Sequence, residues 1–169
     1  EEIARQCKLL GININFAPVV DINSNPKNPI INNRSFGEDV KNVSSLSLAY
    51  MQGLQDNNIL ACAKHFPGHG DTDKDSHKTL PVIKHSKYRL KKVELKPFEY
   101  LIENGLGSIM TAHLYIPSLD TTDRTPISLS ENVVSGLLSK EMGFNGLKFT
   151  DGLNMKAVSD LYDPGELDV

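Results

Sequence analysis

The segment from Lys64 to Pro81, KHFPGHGDTDKDSHKTLP, holds most of the residues in this sequence that could carry chemistry. It combines three histidines with three acidic residues at alternate positions, and two glycines and two prolines interrupt it. Imidazole titrates close to neutral pH and carboxylates accept protons, so both groups serve in general acid–base catalysis. The segment therefore predicts a polar loop that can transfer protons.

A metal site is the main alternative for this loop. Asp71, Asp73 and Asp75 have the alternate spacing of a calcium-binding EF-hand. However, Ser76 takes the place of the turn glycine, and Val82 takes the place of the bidentate glutamate. The three histidines do not follow the ligand spacing of a strong zinc motif. The sequence therefore predicts no metal site.

Polar residues also follow four short apolar stretches of the chain. These positions are Asp21, Lys64–His65, His113 and Asp151. The asparagines that come after Asp21 favour a turn-capping role for this acid, whereas the other positions are candidates for a binding pocket. Of the remaining histidines, His69 is interpreted as part of the loop architecture and His85, among lysines, as exposed.

Strands and helices are predicted to alternate around these positions. Apolar runs indicate buried strands over 12–20, 59–64, 108–112 and 147–150. Apolar residues at three- and four-residue spacing indicate helices over 40–56, 88–103 and 132–142. Pro97 is expected to break the second helix early, and Gly143 to end the third. Each of the four polar positions then lies at the carboxyl end of a strand.

Strands that alternate with helices form parallel β/α units with right-handed crossovers. A (β/α)8 or TIM barrel builds its active site at the carboxyl ends of its strands, whereas a doubly wound sheet binds ligands only near its switch point. Four successive polar strand ends therefore favour the barrel. Four units in 169 residues extrapolate to roughly 300 residues for eight, and a whole barrel needs about 250. We expect residues 1–169 to form a single domain, an incomplete α/β barrel that lacks the first strands and the end.

The composition excludes several classes of protein. The chain has 169 residues and a formal charge of 18 − 21 = −3, so it has no basic excess for binding nucleic acid. No window approaches the roughly 18 uninterrupted apolar residues of a membrane span. The two cysteines, Cys7 and Cys62, are too few for a disulfide framework. We expect a globular domain with neither a nucleic-acid partner nor a membrane span.

The polar loop resembles the signature of bacterial β-N-acetylglucosaminidases of glycoside hydrolase family 3. The resemblance rests on Lys64–Thr72 (KHFPGHGDT), followed by Asp75–His77 (DSH). Shorter stretches agree in order and spacing: GIN at 11–13, FAPVVDI at 16–22, NNRSFG at 32–37, MTAH at 110–113 and FTDGLNM at 149–155. The resemblance therefore covers nearly the whole chain.

The resemblance implies a retaining exo-glycosidase that removes terminal β-N-acetylglucosamine from oligosaccharides of cell-wall or chitin origin, without a cofactor. It also implies a bacterial enzyme, with peptidoglycan recycling as one context, while the compartment, cytoplasm or periplasm, stays open. By position, Asp151 matches the nucleophile, His77 the general acid/base and Asp75 the orienting partner of that histidine. Arg34, Lys64 and His65 match sugar-binding residues, and His113 is added as a pocket candidate from its place at a strand end.

These roles agree with the chemistry of the residues. A carboxylate at a strand end can attack the anomeric carbon of a sugar. Retention normally uses a second carboxyl group as acid/base, but an imidazole can fill this role because its reference pKa lies near 6.5. An aspartate two residues earlier can hydrogen-bond the other ring nitrogen, as the acid of a Ser-His-Asp triad does.

Alternative interpretations remain for the function. Phosphate could accept the sugar in place of water, because a histidine base does not repel an incoming anion as a carboxylate would. The barrel could also be a non-catalytic sugar-binding scaffold, and Arg34 could form a surface ion pair with Glu38 or Asp39. Family members usually carry an Asp-x-Glu-Gly-Gly segment with a following arginine upstream of the region seen here, and this sequence contains no such segment. We therefore expect residues 1–169 alone to be poorly active.

Overall fold

A computed structural model of the chain describes residues 1–73, 79–162 and 165–166. Its sheet contains four parallel strands in sequential order: β1 (Ile14–Asn15), β2 (Leu60–Phe66), β3 (Ser108–Thr111) and β4 (Leu147–Thr150). The helices are α1 (Glu2–Leu9), α2 (Val40–Gln55), α3 (Lys87–Lys92), α4 (Lys96–Glu103), a π-type helix (Asn132–Glu141) and α5 (Lys156–Ser159). Two short 3₁₀ turns span Asn32–Arg34 and Ile127–Leu129. The predicted parallel β/α architecture is therefore confirmed.

The first strand is shorter than the predicted 12–20. Only Ile14 and Asn15 pair regularly, with Leu60 and Ala61 of β2. The chain continues beside β2 as far as a bridge between Val19 and Lys64, but Pro18 interrupts the ladder because proline has no N–H to donate. The segment nevertheless brings the residues that follow it to the carboxyl end of β2.

Local signals explain where several helices begin and end. The side chain of Asp39 accepts a hydrogen bond of 2.9 Å from the Asn42 N–H and so caps α2. The predicted helix over 88–103 is two helices, α3 and α4, as the expected break at Pro97 suggested. The break lies just before the proline, which therefore occupies the first turn of α4, where its missing N–H costs little.

The sheet is curved. The ring of Phe16, just after β1, meets that of Phe149 on β4, and their centroids are 5.2 Å apart. In a flat sheet the first and fourth strands would lie about 14 Å apart, since neighbouring strands are about 4.8 Å apart. The two edge strands therefore turn the same face of the sheet inward, as the strands of a barrel do.

Helices pack on β2 in the middle of the curved sheet, whereas β4 at its edge is mostly exposed. Phe66 at the end of β2 packs edge-to-face on Phe98 of α4, with ring centroids 5.2 Å apart, and both side chains are fully buried. Burying one such ring contributes about 1.5–3 kcal/mol of stability. The helices among the described residues are all too short or too polar to cross a membrane. The packing of Phe66 on Phe98 holds the carboxyl end of β2 in place.

Candidate active site

A cavity of about 470 Å³ opens at the carboxyl end of the sheet. Residues from every strand or the segment after it line this cavity: Phe16, Ile30, Arg34, Lys64, His65, His69, Met110, Thr150, Asp151 and Gly152. Four of the site residues suggested by the sequence are among them, namely Arg34, Lys64, His65 and Asp151. The fold therefore brings together side chains that are far apart in the sequence.

Asp151 directly follows β4 and stands at the mouth of the cavity. Its backbone N–H donates to the carbonyl oxygen of Thr111 on β3 at 2.9 Å, so the strand pairing continues through this residue. One carboxylate oxygen accepts a hydrogen bond of 2.8 Å from the Gly152 N–H. The side chain is partly exposed, so a ligand in the cavity can reach the second oxygen.

His65 is oriented by a buried acid that the sequence did not single out for the site. The Nδ1 atom of His65 lies 2.8 Å from Oδ2 of Asp21, whose side chain is 0% exposed. A carboxylate can only accept, so Nδ1 carries the hydrogen. The other ring nitrogen, Nε2, lies 3.5 Å from a guanidinium nitrogen of Arg34 at the cavity. Asp21 therefore sets the direction in which His65 faces the ligand.

Asp21 also organises the backbone beneath the cavity. The N–H groups of His65 and His69 donate to its carboxylate, the latter at 2.7 Å. Burial alone would raise the pKa of Asp21, but the charges of His65 and His69 and their hydrogen bonds to it lower the pKa overall. The turn-capping role expected for Asp21 is therefore wrong, because its partners lie more than forty residues away rather than in the next turn. The position of Asp21 directly after the predicted strand over 12–20 was the sequence signal that could have identified it as a site residue.

Two cations, Arg34 and Lys64, give the cavity a positive wall. Burial lowers the pKa of Lys64, and the nearby charge of Arg34 lowers it further, while Asp151 and Asp21 oppose the shift. Arg34 hydrogen-bonds the Ile30 carbonyl at 3.3 Å rather than forming the expected alternative, a surface ion pair. The two side chains are therefore placed to donate to oxygen atoms of a ligand.

The loop that starts at Pro67 has a rigid base. Asn28, almost fully buried, donates to the carbonyl oxygen of His69 at 2.8 Å. The hydroxyl group of Thr72 lies 2.8 Å from Nδ1 of His69. His69 thus belongs to the loop architecture while also touching the cavity. These contacts fix the chain up to the point where the loop continues toward Asp75 and His77.

Gly70 belongs to this base, and we expect Gly70→Ala to destabilise the protein by about 3 kcal/mol, since overpacking against backbone is costly. A methyl group at Gly70 would lie 1.7 Å from the carbonyl oxygen of Ile22. The matched control is Gly136→Ala within the π-type helix, where the nearest atom would be 3.8 Å away. Urea denaturation of both variants measures the difference. Equal stability of the two variants would contradict this close approach.

Not every predicted site residue can be placed in the cavity. Asp75 and His77 lie outside the described residues. His113 is buried and hydrogen-bonds Ser128 and the carbonyl oxygen of Gly152, and it is not among the residues that line the cavity. His85 was expected to be exposed, but it is partly buried and hydrogen-bonds Asp71.

Within the parts of the chain that the structure describes, no three His, Cys, Asp or Glu side chains form a group that could hold a metal ion. Among the described residues that line the cavity, the ionisable side chains are two cations, one carboxylate and the imidazoles of His65 and His69. Such a set can hold a neutral, hydroxyl-rich molecule by hydrogen bonds and present one nucleophilic oxygen to it.

The chain is similar to a known family and to proteins of known activity. Residues 1–168 match the family described as the glycosyl hydrolase family 3 N-terminal domain. A beta-hexosaminidase A from Pseudoalteromonas piscicida is 41% identical over 172 residues, a match that covers 96% of this chain and 29% of that protein.

Two solved structures are also similar to this chain. A glycoside hydrolase family 3 beta-N-acetylglucosaminidase from Paenibacillus is 45% identical with a TM-score of 0.93, covering 95% of this chain and 30% of that one. Beta-glucoside phosphorylase BglX is 31% identical with a TM-score of 0.89, covering 93% and 30%. The chain thus spans less than a third of each of these proteins. These matches confirm the predicted barrel-type fold, of which the described residues supply four strands.

Proposed function

We propose a function for this chain on the basis that it belongs to glycosyl hydrolase family 3, through the N-terminal domain of that family. The proposed activity is hydrolysis of terminal β-N-acetylglucosamine residues with retention of configuration. The observation that carries the proposal is the convergence of Arg34, Lys64, His65 and Asp151 on one cavity at the carboxyl end of the sheet. The substrate class agrees with the names of two of these relatives, a beta-hexosaminidase and a beta-N-acetylglucosaminidase.

In the first step the free carboxylate oxygen of Asp151 attacks the anomeric carbon. The bond between that carbon and the leaving oxygen breaks, and His77 donates its proton to the leaving oxygen. In the second step His77 takes a proton from water, the hydroxide oxygen bonds to the anomeric carbon, and the carboxylate of Asp151 leaves. Asp75 orients the imidazole of His77 and stabilises its charged form. Support for the roles of Asp75 and His77 comes from their match to the family signature.

The remaining cavity residues hold the sugar. Arg34 and Lys64 donate hydrogen bonds to sugar oxygens, and these bonds take the place of the hydrogen bonds that the free sugar makes to water. His65, oriented by Asp21, offers Nε2 to a hydroxyl group. Lys64 also sits near Asp151, whose charge opposes the lowering of the Lys64 pKa.

The test of the proposal uses the full-length protein and chromogenic β-glycosides. We expect turnover of the N-acetylglucosaminide to exceed that of the glucoside by about tenfold or more, in line with the substrate that names the similar beta-N-acetylglucosaminidase. Proton NMR at early times should show the β-anomer as the first product, since two displacements retain configuration. An α-anomer as the first product would exclude a covalent intermediate on Asp151.

Phosphorolysis is a second candidate, favoured by the structural match to a beta-glucoside phosphorylase. The cations Arg34 and Lys64 at the cavity suit a phosphate acceptor. Adding inorganic phosphate to the same assay distinguishes the two activities. Sugar 1-phosphate as the main product would establish phosphorolysis, whereas free sugar at an unchanged rate would establish hydrolysis.

A further inference from the structure

Behind the cavity, His113 contacts the chain next to Asp151. His113 follows β3 and is 1% exposed. Its Nε2 atom lies 3.1 Å from the carbonyl oxygen of Gly152, and its Nδ1 atom lies 2.7 Å from the hydroxyl oxygen of Ser128. Both ring nitrogens are therefore used inside the protein, and neither is offered to a ligand.

The partners of the ring determine its tautomer. A carbonyl oxygen can only accept, so Nε2 carries the hydrogen. Burial lowers the pKa of His113, which favours the neutral ring over the charged one. In the neutral ring Nδ1 is an acceptor, and the hydroxyl group of Ser128 donates to it. Ser128 thereby holds His113 in the form that can donate to Gly152.

Hydrogen bonds therefore hold the backbone on both sides of the Asp151 side chain. Its own N–H donates to Thr111 at 2.9 Å, while the carbonyl oxygen of the next residue, Gly152, accepts from His113. The Gly152 N–H in turn donates to the carboxylate of Asp151 at 2.8 Å. Rotation of the peptide groups around Asp151 would break at least one of these bonds, so they limit the directions in which its side chain can point.

We propose that His113, held by Ser128, is a positioning residue that aims the carboxylate of Asp151 at the anomeric carbon. This role rests on the proposed function of Asp151 as the nucleophile. A nucleophile displaced by about 1 Å can cost about 100-fold in rate even when the substrate still binds. The side chains that would bind the sugar, Arg34, Lys64 and His65, do not contact His113 through any hydrogen bond that the structure records among the described residues.

The test compares variants of the full-length protein with a chromogenic N-acetylglucosaminide. We expect His113→Leu to lower kcat by about 10- to 100-fold with KM changed less than about threefold. His113→Gln keeps an N–H donor and should recover at least part of this loss. Ser128→Ala should lower kcat a few-fold, while Ser139→Ala on the π-type helix should leave it unchanged. Folding of each variant is checked by its thermal midpoint.

Two further measurements distinguish a failure of the positioning role of His113 from a failure of the nucleophile role of Asp151. Nitrogen-15 NMR of the histidine rings should show His113 protonated at Nε2 in the wild type and a changed tautomer ratio in Ser128→Ala. Wild-type kcat in folded His113→Leu, or a loss confined to KM, would overturn the positioning role alone. Wild-type turnover in Asp151→Asn would overturn both the nucleophile and the positioning role.

Discussion

Asp151→Asn in the full-length protein is expected to lower kcat for N-acetylglucosaminide hydrolysis by about 1,000-fold or more. An amide cannot form the glycosyl ester on which the double displacement depends, so the reaction loses its covalent route. Sugar affinity should change only a few-fold, because Arg34, Lys64 and His65 still line the cavity. Steady-state kinetics and calorimetric titration with N-acetylglucosamine measure the two quantities.

The matched control for this prediction is Asp160→Asn. Asp160 follows α5, is exposed and does not line the cavity. The substitution Asp160→Asn removes the same charge from the same part of the chain and should leave kcat unchanged. If Asp151→Asn kept normal turnover, Asp151 would not be the nucleophile.

Asp21→Asn is expected to lower the free energy of unfolding by about 3 kcal/mol at pH 7, because it leaves buried hydrogen-bond donors without an acceptor. The carboxylate of Asp21 accepts from the ring of His65 and from the N–H groups of His65 and His69. An asparagine has only one acceptor oxygen and would turn its NH₂ group toward one of these donors. Urea denaturation of the variant and the wild type measures the loss.

The pH dependence of this effect follows from the lowered pKa of Asp21. A carboxyl group whose pKa is lower in the folded protein adds stability above its unfolded pKa of about 3.9 and loses it as the pH falls toward the folded pKa. The stability gap between wild type and Asp21→Asn should thus shrink as the pH falls below about pH 4. A gap that did not narrow in acid would show that Asp21 contributes by packing alone.

Asp39→Asn serves as the control for Asp21→Asn. Asp39 caps α2 by accepting a hydrogen bond from the Asn42 N–H, and asparagine caps helices about as well as aspartate. Its free energy of unfolding should change by less than about 0.5 kcal/mol at pH 7. A loss as large as that of Asp21→Asn would mean that removing any carboxylate near the sheet destabilises the protein.

Local sequence patterns were sufficient to predict most of the secondary structure. The last strand has the predicted bounds, 147–150, but it is mostly exposed and not buried as predicted, because it lies at the edge of the sheet. The helix α2 ends one residue before the predicted helix over 40–56. Burial on one face of a helix or both faces of a strand leaves a periodic pattern in neighbouring residues, and such patterns can be detected without the fold. The shortened β1 shows the limit, because the effect of Pro18 depends on the strand beside it.

The sequence by itself determined which chemical groups the molecule carries and that they stand at strand ends: an acid after β4, a lysine and a histidine near the end of β2, and a histidine after β3. Only the tertiary structure decided which of these groups face the cavity. His65 does, because Asp21, 44 residues away in the chain, holds its Nδ1. His113 does not, because Gly152, 39 residues away, takes its Nε2. A strand end puts a side chain at the edge of the sheet, but its direction depends on partners that come from other strands.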